Sequence, residues 1–202
     1  MVSKSKALPL MEAFRTVQGE GAHTGRSSFF MRIGGCDVGC HWCDVKESWD
    51  ASVHPLTELE DLIQMPASTD RTVVITGGEP LMWDMGPLTE GLKARGFQVH
   101  LETSGAYPLS GTWDWVCLSP KKNKAPKPEW YALANELKVI VFNDDDYKWA
   151  EKHSAQCRPQ VERFLQPEWS RRDQNVPKIV AYLESRPEWR LGLQAHKYIG
   201  MP

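Results

Sequence analysis

Three cysteines fall within eight residues, in the run Cys36-Asp37-Val38-Gly39-Cys40-His41-Trp42-Cys43. Thiolates spaced C-x3-C-x2-C can wrap one metal centre, and spacing alone leaves two readings open. A structural zinc ion needs four ligands in a tetrahedron. His41 is the nearest fourth donor, but its place between Cys40 and Cys43 strains joint ligation. An iron–sulfur cubane held by three cysteines instead leaves one iron open to a substrate or cofactor. The chain has five cysteines in all, an odd number with three crowded together, which is a poor plan for disulfides. Cys117, inside Trp115-Val116-Cys117-Leu118, reads as a small buried hydrophobe. Cys157, after a polar helix-like stretch, reads as a surface or half-buried thiol. A second chemical candidate is Gly77-Gly78-Glu79-Pro80, where two glycines let a ligand approach the backbone with no Cβ in the way.

These motifs need a frame. Phe29–Ile33 reads as a strand, and Arg71–Thr76 is a β-branched run that reads as a fully buried one. Phe97–Glu102, Trp115–Leu118, Leu137–Phe142, Val161–Leu165 and Leu191–Leu193 are further apolar runs. Helical spacing recurs between several of them, in Leu59, Leu62 and Ile63, in Leu88 and Leu92, and most clearly in Val176, Ile179, Val180 and Leu183. Strands alternating with helices require right-handed crossovers and a mostly parallel sheet. About six strands are too few for a closed eight-stranded barrel, so the sequence predicts an α/β fold, an open partial (β/α) barrel, as a single domain over residues 1–202. In such a fold the chemistry sits at the carboxyl ends of the strands. Each polar or glycine-rich motif follows a predicted strand there: the cysteine run, Gly77-Gly78, Thr103-Ser104-Gly105, Ser119-Pro120-Lys121-Lys122 and Gln166-Pro167.

Composition narrows the class. The 202 residues are 41% hydrophobic and 25% charged with a formal net charge of −2, which argues against a general nucleic-acid binder. The longest apolar runs are far too short to span a bilayer. The opening Met-Val-Ser-Lys-Ser-Lys has no continuous apolar core after it and does not read as a secretory signal. A cytoplasmic location is expected.

Taken together, the cysteine run with Trp42 before its third cysteine and Gly77-Gly78-Glu79-Pro80 on the following strand end resemble the radical S-adenosylmethionine (SAM) superfamily. Gln18-Gly19-Glu20-Gly21 before the cysteines and the ending Gln194-Ala195-His196-Lys197-Tyr198 are similar to one branch, the 7-carboxy-7-deazaguanine synthase family of queuosine biosynthesis. The resemblance runs from about residue 10 to Pro202. It implies a shortened radical SAM core and a [4Fe-4S] cluster on Cys36, Cys40 and Cys43, whose open iron chelates SAM. It implies a lyase that contracts the ring of 6-carboxy-5,6,7,8-tetrahydropterin with loss of ammonia, after hydrogen is removed from C6. By the same resemblance SAM contacts Trp42, Cys43, Asp44, Gly78, Ser119, Pro120, Lys121, Gln166, Pro167, Glu168 and Trp169, with Thr103 and Ser104 along the ribose. Substrate contacts fall on Val17, Gln18, Gly19, Glu20, Arg32, Thr76, His196 and the terminal carboxylate of Pro202. A guanidinium at Arg32 suits the substrate carboxylate because its fork bonds both oxygens.

One position departs from the family. A Thr or Ser two residues after the third cysteine ligates Mg2+ in the relatives, and this chain has Val45. A hard cation needs oxygen ligands, so water and backbone oxygens replace the hydroxyl or Mg2+ is dispensable. The family also implies a homodimer and a reductant such as flavodoxin or ferredoxin, with no nucleic acid and no membrane. Two other readings compete: a radical SAM activase of a glycyl radical enzyme, which does not explain the Gln18–Gly21 segment or the ending, and a non-catalytic metal or electron-transfer module.

Overall fold

Thr72 to Gly77 shows how the sheet is made. Val73, Val74 and Ile75 are β-branched and essentially without solvent access, as a strand covered on both faces must be. In the computed structural model, which describes residues 6–201, this strand pairs in parallel with a neighbour on each side. The strands are β1 (Ala7–Val17), β2 (Ser27–Ile33), β3 (Leu56–Glu58), β4 (Thr72–Gly77), β5 (Gln98–Thr103), β6 (Trp115–Leu118), β7 (Glu136–Val141), β8 (Glu162–Pro167) and β9 (Trp189–Leu191). They form one sheet in the order β3-β1-β2-β4-β5-β6-β7-β8-β9. From β2 to β9 every pairing is parallel, while β1 runs antiparallel to both its neighbours.

The open, mostly parallel sheet is the one the sequence predicts, but it has nine strands rather than the seven whose runs are named above. The extra pair is β1 and β3. In β1 the pairing with β2 shifts between Leu10 and Glu12, and such a bulge breaks the two-residue alternation by which a strand is recognised. Pro9 further disguises it: lacking an N–H, it contributes only its carbonyl, which accepts from Gly34 N–H at 2.7 Å. Strand β3 is three residues long with Leu56 and Glu58 exposed, too short to leave a pattern. The last strand lies two residues earlier than the predicted Leu191–Leu193, because Trp189 is the residue it buries.

Helices α1 (Leu59–Gln64), α2 (Gly86–Ala94), α3 (Glu129–Leu133), α4 (Asp145–Ser154) and α5 (Arg172–Leu183) pack outside the sheet, and α6 (Ala195–Ile199) follows β9. Leu88 and Leu92 of α2 and Ile179 of α5 are fully buried and join Met31, Ile75, Leu101, Leu118, Leu137 and Leu165 from the strands in one core. Cys117 is buried and Cys157 half-buried, both as free thiols. Among the described residues, no helix is long and apolar enough to cross a membrane.

The core and the edge differ in what a truncation costs. Met31 has 0% exposure and Leu56 has 73%. Met31→Ala is expected to lose about 2–5 kcal/mol through lost burial and a residual cavity, and Leu56→Ala to stay within about 0.5 kcal/mol. Urea unfolding of the two variants checks this ordering, and equal losses contradict it.

Candidate active site

The carboxyl ends of the strands surround a cavity of about 430 Å3. The predicted residues converge on it from all sides. Val17 to Glu20 come from the end of β1, Arg32 from β2, and Cys36, Cys40, Trp42, Cys43 and Asp44 from the loop after β2. Thr76 and Gly78 come from β4, Ser119 and Lys121 from the end of β6, Gln166 to Trp169 from the end of β8, and His196 from α6. Two predicted residues do not join them. Pro120 lines a second cavity of about 240 Å3, which shares Cys40, Trp42 and Ile140 with the first and adds His41, Phe142 and Trp149. Pro202 lies outside the described residues.

The cysteine loop is held by backbone bonds on both flanks. Gly35 N–H donates to Ser48 O (2.7 Å) and Cys36 N–H to Trp49 O (3.0 Å), while Asn123 Nδ2 donates to Gly39 O (2.7 Å). The glycine pair after β4 packs directly beneath. Gly78 N–H donates to Ile33 O (2.9 Å) and Glu79 N–H to Gly35 O (2.8 Å). Gly77 has a φ of 133°, and a Cβ on it would run into the Ile33 backbone; a Cβ on Gly78 would run into Gly35 O and the Cys36 side chain. Glycine is therefore required there by close approach. The three thiols are free and half-buried. Burial pushes the Cys36 and Cys40 thiols up, since an uncompensated thiolate is poorly solvated there. Among the described residues no three Cys, His, Asp or Glu side chains already gather around one metal position.

Glu79 ties two strand ends. Its carboxylate accepts from Thr103 Oγ1 (2.7 Å), Ser104 N–H (2.8 Å), the Ser104 hydroxyl and Leu81 N–H (3.2 Å). Thr103 and Ser104, expected along a ribose, line the cavity but commit their hydroxyls to Glu79. Arg32 also has a protein partner, with its Nε donating to Glu12 Oε1 at 2.6 Å.

The floor is polar and holds residues that the sequence reading missed. Lys138 of β7, 6% exposed, donates to Glu20 Oε2 (2.5 Å) and Glu102 Oε2 (2.8 Å). Burial alone would push this ammonium down, but Cys117 and the carboxylates of Glu102, Glu20 and Glu136 overcome it and hold Lys138 well above the usual lysine range. Burial likewise pushes Glu20 up, and Lys138 with Gln194 outweighs it and holds the carboxyl below its usual range. Gln18 braces the same corner: its Oε1 accepts from Glu20 N–H (3.1 Å) and its Nε2 donates to Glu102 Oε1 (3.4 Å). Gln194 Nε2 donates to Glu20 Oε1 at 2.9 Å, and Ala195 N–H to Gly19 O at 2.8 Å. The His196 ring packs so closely on Gly19 that any Cβ there would clash with it. Gln166, 2% exposed, keeps its Oε1 without a hydrogen-bond partner. A buried acceptor of that kind is costly unless a ligand donor satisfies it. Lys121, pushed down by burial, stands 5.4 Å over the Trp42 ring. The signal that could have found the floor is a lysine inside the apolar run Leu137–Phe142 and an acid closing Phe97–Glu102.

Comparison with known proteins agrees with this geometry. A family model described as the radical SAM superfamily matches residues 31–117. The chain is 55% identical to 7-carboxy-7-deazaguanine synthase of Flavobacterium psychrophilum, over 100% of this chain and 96% of that one. It is 50% identical to the synthase of Synechocystis sp., over 96% and 93%. The crystal structure of QueE from Escherichia coli superposes with a TM-score of 0.81 at 33% identity, covering 94% of this chain and 95% of that one.

Below the floor, Glu136 at the start of β7 accepts from Ala22 N–H (3.0 Å) and the Cys117 thiol (3.5 Å). Burial, with the charge of Glu102 added, pushes its carboxyl up to about 7, against Lys138 and the Ala22 N–H. The folded state thus favours the neutral acid. This contribution to stability is complete below about pH 4.5 and is lost as pH rises through about 7. Glu136→Gln cannot ionise, so it is expected to gain on the order of 3 kcal/mol relative to wild type between pH 4.5 and 8. Urea unfolding of both proteins at the two ends of that range measures the difference, and parallel pH profiles contradict it.

Proposed function

Since the chain belongs to the 7-carboxy-7-deazaguanine synthase family of radical SAM enzymes, we propose that it converts 6-carboxy-5,6,7,8-tetrahydropterin to 7-carboxy-7-deazaguanine with loss of ammonia, acting as a single domain. What carries the reading is one juxtaposition: the cysteine loop and a charged, hydrogen-bonding floor open into the same cavity. Neither of the other readings accounts for that floor. A protein-glycine activase and a passive metal module have no use for two carboxylates fixed on one buried ammonium.

Three free thiols on one wall suit a [4Fe-4S] cluster on Cys36, Cys40 and Cys43, and the bare backbone of Gly77 and Gly78 suits the methionyl end of SAM. When bound, these groups supply the one-electron chemistry that removes a hydrogen atom from the substrate. The chain's own residues then have distinct tasks. Trp42, Asp44, Ser119, Lys121 and the Gln166–Trp169 segment line the SAM side. Pro120 with His41 and Phe142 forms the adjoining aromatic cavity, where a flat adenine ring can stack. On the opposite side Glu20 and Glu102 present acceptors to the donor edge of the pterin, Gln18 presents an amide, and Thr76 and His196 line the flank. Arg32 keeps its terminal guanidinium nitrogens for the substrate carboxylate while Glu12 holds Nε. The proposed partners are a second copy of the chain and a low-potential reductant of the flavodoxin or ferredoxin kind.

The test is an anaerobic assay of the reconstituted protein with dithionite, SAM and 6-carboxytetrahydropterin. Product is expected without proportional consumption of SAM; release of 5′-deoxyadenosine with no deazaguanine product would overturn the substrate. Cys40→Ala is expected to abolish SAM cleavage in a chain that keeps its circular dichroism, and retained cleavage would remove the cluster assignment.

A further inference from the structure

The corner of the cavity beside Asp44 already holds a cation, and it belongs to the chain. A divalent ion such as Mg2+ takes about six oxygen ligands in a near-octahedral shell. Here Val45 lines the cavity with two methyl groups and no oxygen. Asp44 accepts through Oδ2 from Lys197 Nζ (2.5 Å) and from Gln194 Nε2 (3.3 Å), and Glu20, which shares that Gln194 nitrogen (2.9 Å), is already taken by Lys138. Glu47 and Asp50 do not reach the cavity, and Asp50 is turned to Ser52. Among the described residues no acidic group of three forms a cation site. The residues at this corner do not fit Mg2+.

They fit an ammonium instead. Lys197 leaves α6 with its side chain 21% exposed, lines the same cavity as the cysteine loop, and crosses the face of Trp169 at 5.1 Å. Its helix is tethered at its start by Ala195 N–H to Gly19 O (2.8 Å) and closed at its end by its own capping bond, Met201 N–H to His196 O (3.0 Å). An ammonium carries three donors, and Asp44 is the acceptor it meets here. The remaining N–H groups are available to a ligand oxygen. We propose that the Lys197 ammonium, oriented by Asp44 and Trp169, shares the carboxylate of the pterin substrate with Arg32, taking the place a cation would have there, and that this chain therefore works without a divalent cation. The inference rests on the substrate named above.

Two measurements decide it, and neither depends on turnover. The first loads the reconstituted protein with SAM and substrate, without reductant, and titrates Mn2+ as an electron paramagnetic resonance probe while the oxidised cluster is silent. No stoichiometric Mn2+ uptake is expected; one Mn2+ retained per chain only when substrate is present would overturn the proposal. The second is equilibrium pterin binding to Lys197→Met and Lys197→Arg. Loss of a charge-assisted hydrogen bond is expected to weaken pterin binding about tenfold or more in Lys197→Met, a larger loss than any in SAM binding, with the arginine variant close to wild type. Pterin binding in folded Lys197→Met equal to wild type would reduce the contact to a surface ion pair and sink the idea. Failure of the wild-type chain to bind the pterin at all would instead remove the substrate assignment, and the Mn2+ result would still be readable.

Discussion

An ammonium with almost no access to water is tolerable only among carboxylates, and Lys138 meets that condition by drawing Glu20 and Glu102 onto one point. The desolvation of such a group is large, and the attraction of its neighbours outweighs it for the charged form, although a buried ion pair is by itself weak evidence of stability. Removing one partner is another matter and typically costs about 3–5 kcal/mol, because the remaining charge is stranded. The value of the cluster is geometric. Lys138 sits on β7, Glu20 at the end of β1 and Glu102 on β5, so one nitrogen fixes three elements that the sheet order separates. Glu20 then passes the constraint on. Its second oxygen takes Gln194, next to the Ala195–Gly19 backbone bond, and the end of the chain is drawn over the cavity.

A second constraint acts on the opposite wall. The cysteine loop is held through groups other than its thiols, with Asp37 Oδ2 accepting from the Tyr107 hydroxyl (2.6 Å) and Lys124 Nζ (2.7 Å). It rests on the glycine pair after β4, where only a bare backbone fits between Ile33 and Cys36. Glu79, the next residue, then fastens this strand end to that of β5 through Thr103 and Ser104. The motif Gly77-Gly78-Glu79-Pro80 therefore combines a close backbone seat for the cysteine loop with an anchor on β5. The glycine motif sits at the carboxyl end of a parallel strand, where loops from successive crossovers meet, whereas the Lys138 cluster joins the interior of β7 to the end of β5 and to the segment after antiparallel β1.

How much of this can be read from the sequence depends on the distance over which each feature is decided. Val73-Val74-Ile75 announces a buried strand because burial on both faces is a local pattern. The spacing of Cys36, Cys40 and Cys43 announces a shared centre for the same reason. Strand β1 escapes because Pro9 and the register shift after Leu10 erase its alternation. Thr103 and Ser104 are placed at the cavity as their position implies, yet their hydroxyls serve a carboxylate 24 and 25 residues away. Lys138 looks like an interruption of an apolar run until Glu20, 118 residues earlier, is set against it. Lys197 and Asp44 lie 153 residues apart, and no local signal joins them. Residues chosen for a motif are visible one chain segment at a time; residues chosen to hold motifs together are visible only after folding.

If the Lys138 cluster shapes the substrate side of the cavity and leaves the SAM side alone, equilibrium binding to reconstituted wild type and Lys138→Met separates the two ligands. Affinity for 6-carboxytetrahydropterin is expected to fall by about tenfold or more, the scale of one lost charge-assisted contact, with SAM affinity within about twofold of wild type. Unchanged pterin affinity in a folded Lys138→Met, or an equal loss for both ligands, would contradict it.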